Sequence, residues 1–175
     1  MMTLNYTITF LDYWHMGSGL SAGAKFDAKV IKDNDGIAFV PGKTFKGLAR
    51  EMAELIGDTA FVKTCFGEEG VEMGACYFSD AIVSPEMHAQ IVSNQLQDHL
   101  YDEIASTKID SNGLAADGSL REIEVVIPLT LHGEVRDIPQ EHGVSMKQTL
   151  NMIKRMGLNR NRGLGRCVIS VEEKS

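Results

Sequence analysis

The chain of 175 residues is poor in cysteine and has no long apolar run, and each shortage excludes a class of protein. Cys65, Cys76 and Cys167 are odd in number and widely spaced, so they predict neither a disulfide framework nor a CxxC zinc site. No stretch approaches the roughly 18 apolar residues of a membrane-spanning helix. The first residues also lack the charged, apolar and small-residue order of a signal peptide. We therefore expect a cytoplasmic globular protein with no membrane partner and with its cysteines reduced in the core.

Basic residues are in the minority, 17 against 24 acidic residues, and the net charge is -7. Such a balance excludes a protein that coats nucleic acid with its whole surface. The basic residues are nevertheless unevenly spread, because nine of the 17 lie in residues 36–50 and 142–171, which contain no Asp or Glu. If folding joins these two stretches, an acidic protein carries one basic groove. Two unrelated solvated faces would give the same pattern.

Residues 157–166 read GLNRNRGLGR and combine three glycines with three arginines. Glycine permits a positive φ and a close backbone approach, so that N–H groups can turn toward a phosphate. Arg160, Arg162 and Arg166 add forked, permanently charged donors. We call residues 157–166 the glycine loop and interpret it as a site for RNA phosphates. The alternative is a basic, solvated turn that joins a helix to the last strand.

The hydrophobic pattern predicts an α+β fold in which a strand-helix-strand order occurs twice. We expect one or two ferredoxin-like halves with inserted hairpins and loops, in a single domain over residues 1–175. Strands are predicted at 3–13, 76–83, 121–135 with an interruption at Pro128, and 167–171; helices at 43–56, 85–104 and 145–156; loops at 15–23 and 107–120; and a tight connection at 33–36.

Two tempting motifs fail on spacing. Gly42, Lys43 and Thr44 look like the end of a nucleotide-binding P-loop, but that motif requires glycine where Ile37 stands. The five histidines show neither HxH nor HxxxH spacing, so they predict no metal site.

Residues 15–50, HMGSGLSAGAKFDAKVIKDNDGIAFVPGKTFKGLAR, contain an ordered set of short motifs. They comprise a His-x-Gly-Ser-Gly loop, an Asp before a Lys-Asp hairpin, and Pro-Gly-x-Thr followed by a hydrophobic residue and Lys-Gly-x-x-Arg. This order resembles the amino-terminal signature of the RAMP superfamily of CRISPR-associated proteins. Further stretches follow in the family's order: residues 65–67, residues 78–81, Ile109-Asp110, Glu124 and the glycine loop.

Among RAMP proteins the layout is most similar to the repeated backbone subunit of type III effector complexes, which serve antiviral defence. It departs from that subunit at Ser111, where relatives often carry Arg, and at Lys43, where they often carry Ser. The resemblance implies a ferredoxin-like, RRM-related fold, binding of guide and target RNA without a cofactor, and assembly with other effector subunits and with copies of itself along the RNA. The expected RNA-binding residues are His15, Gly17, Ser18, Gly19, Lys43, Lys46, Arg50, Arg160, Arg162, Gly163, Gly165 and Arg166. A continuous groove requires residues 15–23 and the glycine loop to lie side by side.

Asp27 separates the functional alternatives. By itself it is an ordinary loop carboxylate that caps the loop or pairs with Lys25 or Lys29. The resemblance implies instead that it lies beside target RNA and supports metal-dependent cleavage, holding Mg²⁺ or Mn²⁺ against a phosphate. A second alternative is a stand-alone RAMP-type endoribonuclease that processes guide transcripts, with His15 as general acid-base and His142 as a weaker candidate.

Overall fold

The fold is built around one antiparallel sheet with helices on one face. The computed structural model describes residues 1–17, 28–68, 72–106, 114 and 121–174. In chain order its elements are β1 (Met2–Phe10), α1 (Gly42–Ile56), α2 (Thr59–Phe66), β2 (Gly67–Glu68), β3 (Glu72–Met73), β4 (Tyr77–Phe78), α3 (Pro85–Ser93), β5 (Tyr101–Ser106), β6 (Arg121–Val126), β7 (Thr130–Ile138), α4 (Gly143–Met152) and β8 (Cys167–Glu173), with short 3-10 helices at Gln97–Leu100 and Gln140–His142.

The main sheet has the strand order β4-β7-β1-β8, and every neighbouring pair is antiparallel. The connection from β1 through α1 to β4 passes over β7, and the connection from β7 through α4 to β8 passes over β1. This is the split βαβ arrangement of the ferredoxin-like fold. The predicted fold class is confirmed, and of the one or two halves expected, the described residues form one.

The alternation in β1 sets the two faces of the sheet. Leu4, Tyr6 and Ile8 are buried, whereas Asn5 and Thr9 are exposed. The buried side chains pack against α1 and α4; the Tyr6 ring, for example, stacks on that of Phe45 in α1 with 4.4 Å between centroids. Each fully buried Leu or Ile contributes about 1.5–3 kcal/mol, so this face holds the two crossover helices on the sheet.

The Pro-Gly pair before α1 has a packing role. Gly42 lies against the backbone of residues 78 and 79, and a Cβ at this position would collide with the Phe78 carbonyl oxygen. The Gly42 N–H donates to Asp80 Oδ1 at 2.7 Å, which supplies a partner to one of the unpaired N–H groups of the first helical turn. The helix ends at Gly57, whose φ of 81° is the left-handed conformation of a glycine C-cap. The predicted helix at 43–56 is thus confirmed within one residue.

The tight connection predicted at 33–36 is also confirmed. The Asp33 N–H donates to the Ile37 carbonyl at 2.9 Å, and Asp33 Oδ1 accepts from the N–H groups of residues 35 and 37. Gly36 takes a φ of 81° there.

The helix predicted at 85–104 is wrong beyond its first half. It ends at Ser93, and Gln95 turns the chain with a φ of 54°. A 3-10 turn then leads into β5. No Gly or Pro separates the end of α3 from the start of β5. The apolar residues of the two elements therefore read as one continuous helical pattern in the sequence.

Three further boundaries also differ. Residues 121–135 form two strands in separate sheets, because β6 pairs with β5 while β7 joins the main sheet. The strand predicted at 76–83 is shorter in the structure, where only Tyr77–Phe78 form β4 and isolated bridges follow at Ala81 and Ile82. The helix predicted to end at residue 156 ends at Met152, because residues 154–156 pair with residues 165–167 at the end of the glycine loop and the start of β8. The loop predicted at 107–120 lies outside the described residues except for Leu114.

No helix in the described part of the chain is long and apolar enough to cross a membrane.

Candidate nucleic-acid interface

The glycine loop packs against the segment that leaves β1. Its Leu158 N–H donates to the His15 carbonyl at 2.9 Å, and its Gly165 N–H donates to the Tyr13 carbonyl at 2.8 Å. The Leu11 N–H donates back to the Arg166 carbonyl at 2.9 Å. The expectation that the two loops lie side by side is confirmed for residues 15–17, and residues 18–23 lie outside the described part.

Three glycines of the loop have positive φ, but their surroundings differ. A Cβ on Gly157 would collide with the His15 carbonyl oxygen, and one on Gly165 would collide with the Met156 carbonyl oxygen. Gly163, with a φ of 97°, has no heavy atom within 4 Å of such a Cβ. Gly157 and Gly165 therefore fasten the loop to the protein, whereas Gly163 lies at its open surface.

The three arginines of the loop are held loosely. Arg160 contacts Glu51 of α1 at 3.3 Å with 40% of its side chain exposed, and the Arg166 side chain contacts Asp12 at 3.3 Å. Arg162 is exposed and pairs with no carboxylate among the described residues. Exposed ion pairs are worth about 0–1 kcal/mol, so Arg160 and Arg166 can exchange their carboxylates for phosphates at little cost.

The basic residues of α1 divide between two flanks. Lys46 donates to the Cys76 carbonyl at 3.2 Å, and Arg50 pairs with Glu54 at 2.9 Å beside α2. Glu51 instead reaches the glycine loop through Arg160. Lys43 is exposed near the start of the helix. The two acid-free stretches meet where Leu48 lies beside residues 152–155. Lys46 and Arg50 lie on the other flank of α1, so these two side chains do not join the glycine loop in the single basic groove that we expected.

His15 is buried beneath this region, with a relative solvent exposure of 1%. Its Nδ1 lies 2.6 Å from the Glu124 carbonyl oxygen, which can only accept, so Nδ1 carries the proton. Its Nε2 points to Gly17, where a Cβ would lie 3.6 Å away. The position favours a structural role for His15 over the proton transfer required of an endoribonuclease.

Glu124 holds the chain that follows residue 27, a role its sequence position did not reveal. Its buried carboxylate accepts from the Val30 N–H at 3.0 Å and from Lys32 Nζ at 2.7 Å. Lys32 also lies 3.5 Å from the ring centroid of Tyr101, whose hydroxyl donates to the Gly36 carbonyl at 2.6 Å. Burial raises the pKa of Tyr101 well above its usual range, and the Glu124 charge adds to this.

Asp27, Ser18 and Gly19 lie outside the described residues. Within the described ranges, no group of three or more His, Cys, Asp or Glu side chains is placed to hold a metal ion. The predicted metal site at Asp27 therefore stays a prediction.

Two solved structures share this fold along nearly its whole length. A chain of the cryo-EM structure of the Type III-B Cmr-beta bound to cognate target RNA superimposes with a TM-score of 0.79 at 11% identity, covering 98% of this chain and 97% of that one. A chain of the apo-state Cmr-beta structure gives a TM-score of 0.72 at 13% identity, with 97% of each chain covered. At such identities the likeness establishes the fold.

A search of curated proteins by sequence finds no match. The RAMP superfamily model, in contrast, matches residues 7–168, which include the second half of β1, both crossover helices and the entire glycine loop. The match spans most of the chain and agrees with the ferredoxin-like sheet and with the glycine loop packed beside residues 15–17. The chain therefore belongs to the RAMP superfamily.

Proposed function

We propose that the protein is a guide-RNA-binding backbone subunit of a type III CRISPR ribonucleoprotein. The observation that carries the proposal is the position of the glycine loop. Its open glycine lies among three arginines at the surface of a protein that is acidic overall. Such a local basic surface suits a specific nucleic-acid binder.

The loop would grip the phosphate backbone of the guide. Arg162 is exposed and has no carboxylate partner among the described residues, and the backbone around Gly163 is open to a close approach. Arg160 and Arg166 would exchange Glu51 and Asp12 for phosphate oxygens. Contacts of this kind carry no base information, so binding should be independent of guide sequence.

The structural neighbours support the wider assembly. They are chains of type III-B Cmr-beta structures, one of them bound to cognate target RNA. We infer target RNA, other effector subunits and copies of itself as partners.

Binding by the purified full-length chain tests the proposal. Fluorescence anisotropy with two 20-nucleotide single-stranded RNAs of unrelated sequence should give affinities within a few-fold of each other. Duplex DNA of the same length should bind more weakly, because it cannot offer an unpaired, flexible backbone. Failure to bind either RNA at 50 mM salt would refute the proposal.

Target-RNA cleavage at Asp27 is a further part of the proposal. Residues 28–32, which follow Asp27 directly, are fastened to β6 by Glu124 and by the Ala28 bridge to Ile123. A divalent ion would supply charge neutralisation at the scissile phosphate. The chain's own contribution is one carboxylate that directly precedes an anchored segment, so we expect slow cleavage that depends on the assembled complex.

Cleavage of target RNA by the reconstituted complex with Mg²⁺ or Mn²⁺ tests this part. Asp27→Asn keeps the size of the side chain but loses its charge, so cleavage should fall at least about 100-fold while guide binding is unchanged. Equal cleavage by both proteins would assign Asp27 a structural role. Cleavage of repeat RNA by the isolated chain in EDTA would instead favour the stand-alone endoribonuclease.

A further inference from the structure

A cavity of about 280 Å³ lies between α1, α4 and the glycine loop. Its floor is apolar and is made by Leu48 and Met52 of α1 with Met152 and Ile153 at the end of α4. Leu48 and Ile153 belong to the core, whereas Met152 is 38% exposed. The cavity is slightly below the size range of about 300–1,000 Å³ that is usual for drug-sized ligands, so it suits one small group.

The rim of the cavity is basic. Lys154, Arg155 and Arg160 line it, with Glu51 as the single acidic group of the lining. Lys154 and Arg155 are exposed and pair with no carboxylate in the described part of the chain. An apolar floor within a positive rim complements a ligand with a flat apolar face and adjacent negative charge.

We propose that this cavity holds one unstacked base of the bound single-stranded RNA, with its flanking phosphates on Arg155 and Arg160. Single-stranded RNA is recognised by proteins mainly through splayed-out bases, which stack on aromatic side chains or on arginine guanidinium planes such as Arg155 or Arg160 could offer. The flexible thioethers of Met52 and Met152 adapt to any base face. Glu51, released when Arg160 turns to a phosphate, accepts a hydrogen bond from a base amino group.

The inference rests on the proposed function and adds a base contact to an otherwise phosphate-directed interface. Its signature is therefore a loss of affinity when the bases are removed from an unchanged phosphate backbone. Stacking of one base on an aromatic side chain contributes roughly 1–3 kcal/mol. For a lining without aromatic rings we expect the lower end of that range, which corresponds to about fivefold in affinity.

The test compares the full-length protein on oligo-adenylate and on an abasic ribose-phosphate strand of the same length. Met152→Ala removes part of the floor without changing charge, and Met87→Ala on α3, 46% exposed, is the matched control. Wild type and Met87→Ala should prefer the base-containing strand by about fivefold. Met152→Ala should lose most of that preference and keep its affinity for the abasic strand.

Two results would overturn the inference. RNA binding with no preference for the base-containing strand, or a preference that Met152→Ala leaves intact, refutes the base pocket alone. Absence of any RNA binding by wild type refutes the proposed function together with the pocket.

Discussion

At the residue scale, the glycines of the loop serve two separate needs. Gly157 and Gly165 have positive φ and also touch carbonyl oxygens of neighbouring segments, so they are required for the fold. Gly163 has positive φ and open surroundings, so only backbone strain opposes a side chain there. The sequence shows three equivalent glycines, and their packing alone distinguishes them.

The pair Gly157→Ala and Gly163→Ala tests this distinction. Gly157→Ala combines strain with a collision against the His15 carbonyl and should lower the free energy of unfolding by about 3 kcal/mol or more. Gly163→Ala should cost about 1–2 kcal/mol from its left-handed conformation alone. Urea unfolding measures both, and equal losses would show that the collision is relieved by movement of the loop.

A larger side chain at Gly163 should affect binding more than folding. Gly163→Val places a branched side chain at the open surface where the phosphate backbone would approach. We expect at least tenfold weaker RNA binding with the folded structure retained. Anisotropy measures the RNA affinity and circular dichroism measures the folded structure of the same sample. An unchanged affinity would show that Gly163 does not contact the RNA.

The buried thiol of Cys167 gives a prediction with a defined pH dependence. Burial raises the pKa of Cys167 to about 11, so the thiol is neutral at pH 8. The folded state keeps this proton while the unfolded chain releases it above about pH 8.5. The contribution to stability is therefore complete below pH 8.5 and is lost as the pH rises toward 11.

Alkylation followed by peptide mass spectrometry measures the state of Cys167. At pH 8 the folded protein should label this residue at least tenfold more slowly than the urea-unfolded protein, because both burial and protonation oppose the reaction. Equal rates would mean that β8 opens readily.

At the scale of elements, the Glu124 carboxylate joins β6 to residues 30 and 32, and Lys32 extends the connection to Tyr101 of β5. Removal of one partner of a buried, charged hydrogen-bond network leaves the others unsatisfied. These contacts hold the chain that follows residue 27 against the β5–β6 hairpin.

Glu124→Gln should weaken this anchor. We expect a loss of about 1–3 kcal/mol in the free energy of unfolding and faster amide exchange at Val30. Glu172→Gln on the exposed surface of β8 is the matched control and should change neither. Unchanged exchange at Val30 in Glu124→Gln would show that the backbone bridges alone hold this segment.

The sequence predicted elements well where one periodicity extends over a whole element. The alternation in β1 and the spacing of Phe45 and Leu48 in α1 reflect a single buried face, so both elements are confirmed. Prediction was wrong where an element changes within one apolar pattern, as after Ser93, because turns made without glycine or proline carry little local signal. The contact between the glycine loop and residues 15–17 was expected, because a continuous RNA groove requires it. The roles of Glu51, Asp80 and Glu124 could not be predicted, because their partners lie far away in the sequence.

At the scale of the whole molecule, the open face of the sheet offers little aromatic surface on which RNA bases could stack. In RRM domains, aromatic side chains on the open face of such a sheet stack the RNA bases. Here the aromatics of β1, Tyr6 and Phe10, face the core, and β1 presents Asn5 and Thr9 on the open face. The one exposed aromatic side chain in the described strands of this sheet is Tyr77 of β4, and Arg136 lies over its ring at 4.3 Å. The proposed function therefore assigns the RNA contacts to the basic glycine loop at the edge of the sheet.

The salt dependence of RNA affinity tests this central claim most directly. The double variant Arg160→Ala, Arg162→Ala is compared with Arg136→Ala, Lys174→Ala, which changes net charge equally but removes cations paired with Glu134, away from the glycine loop. Each lost phosphate contact on single-stranded RNA should reduce the slope of log affinity against log salt by about 0.7, so the loop variant should lose about 1.4. The account predicts that loss for the loop variant and a slope close to wild type for the control. Equal slopes in all three proteins would contradict it.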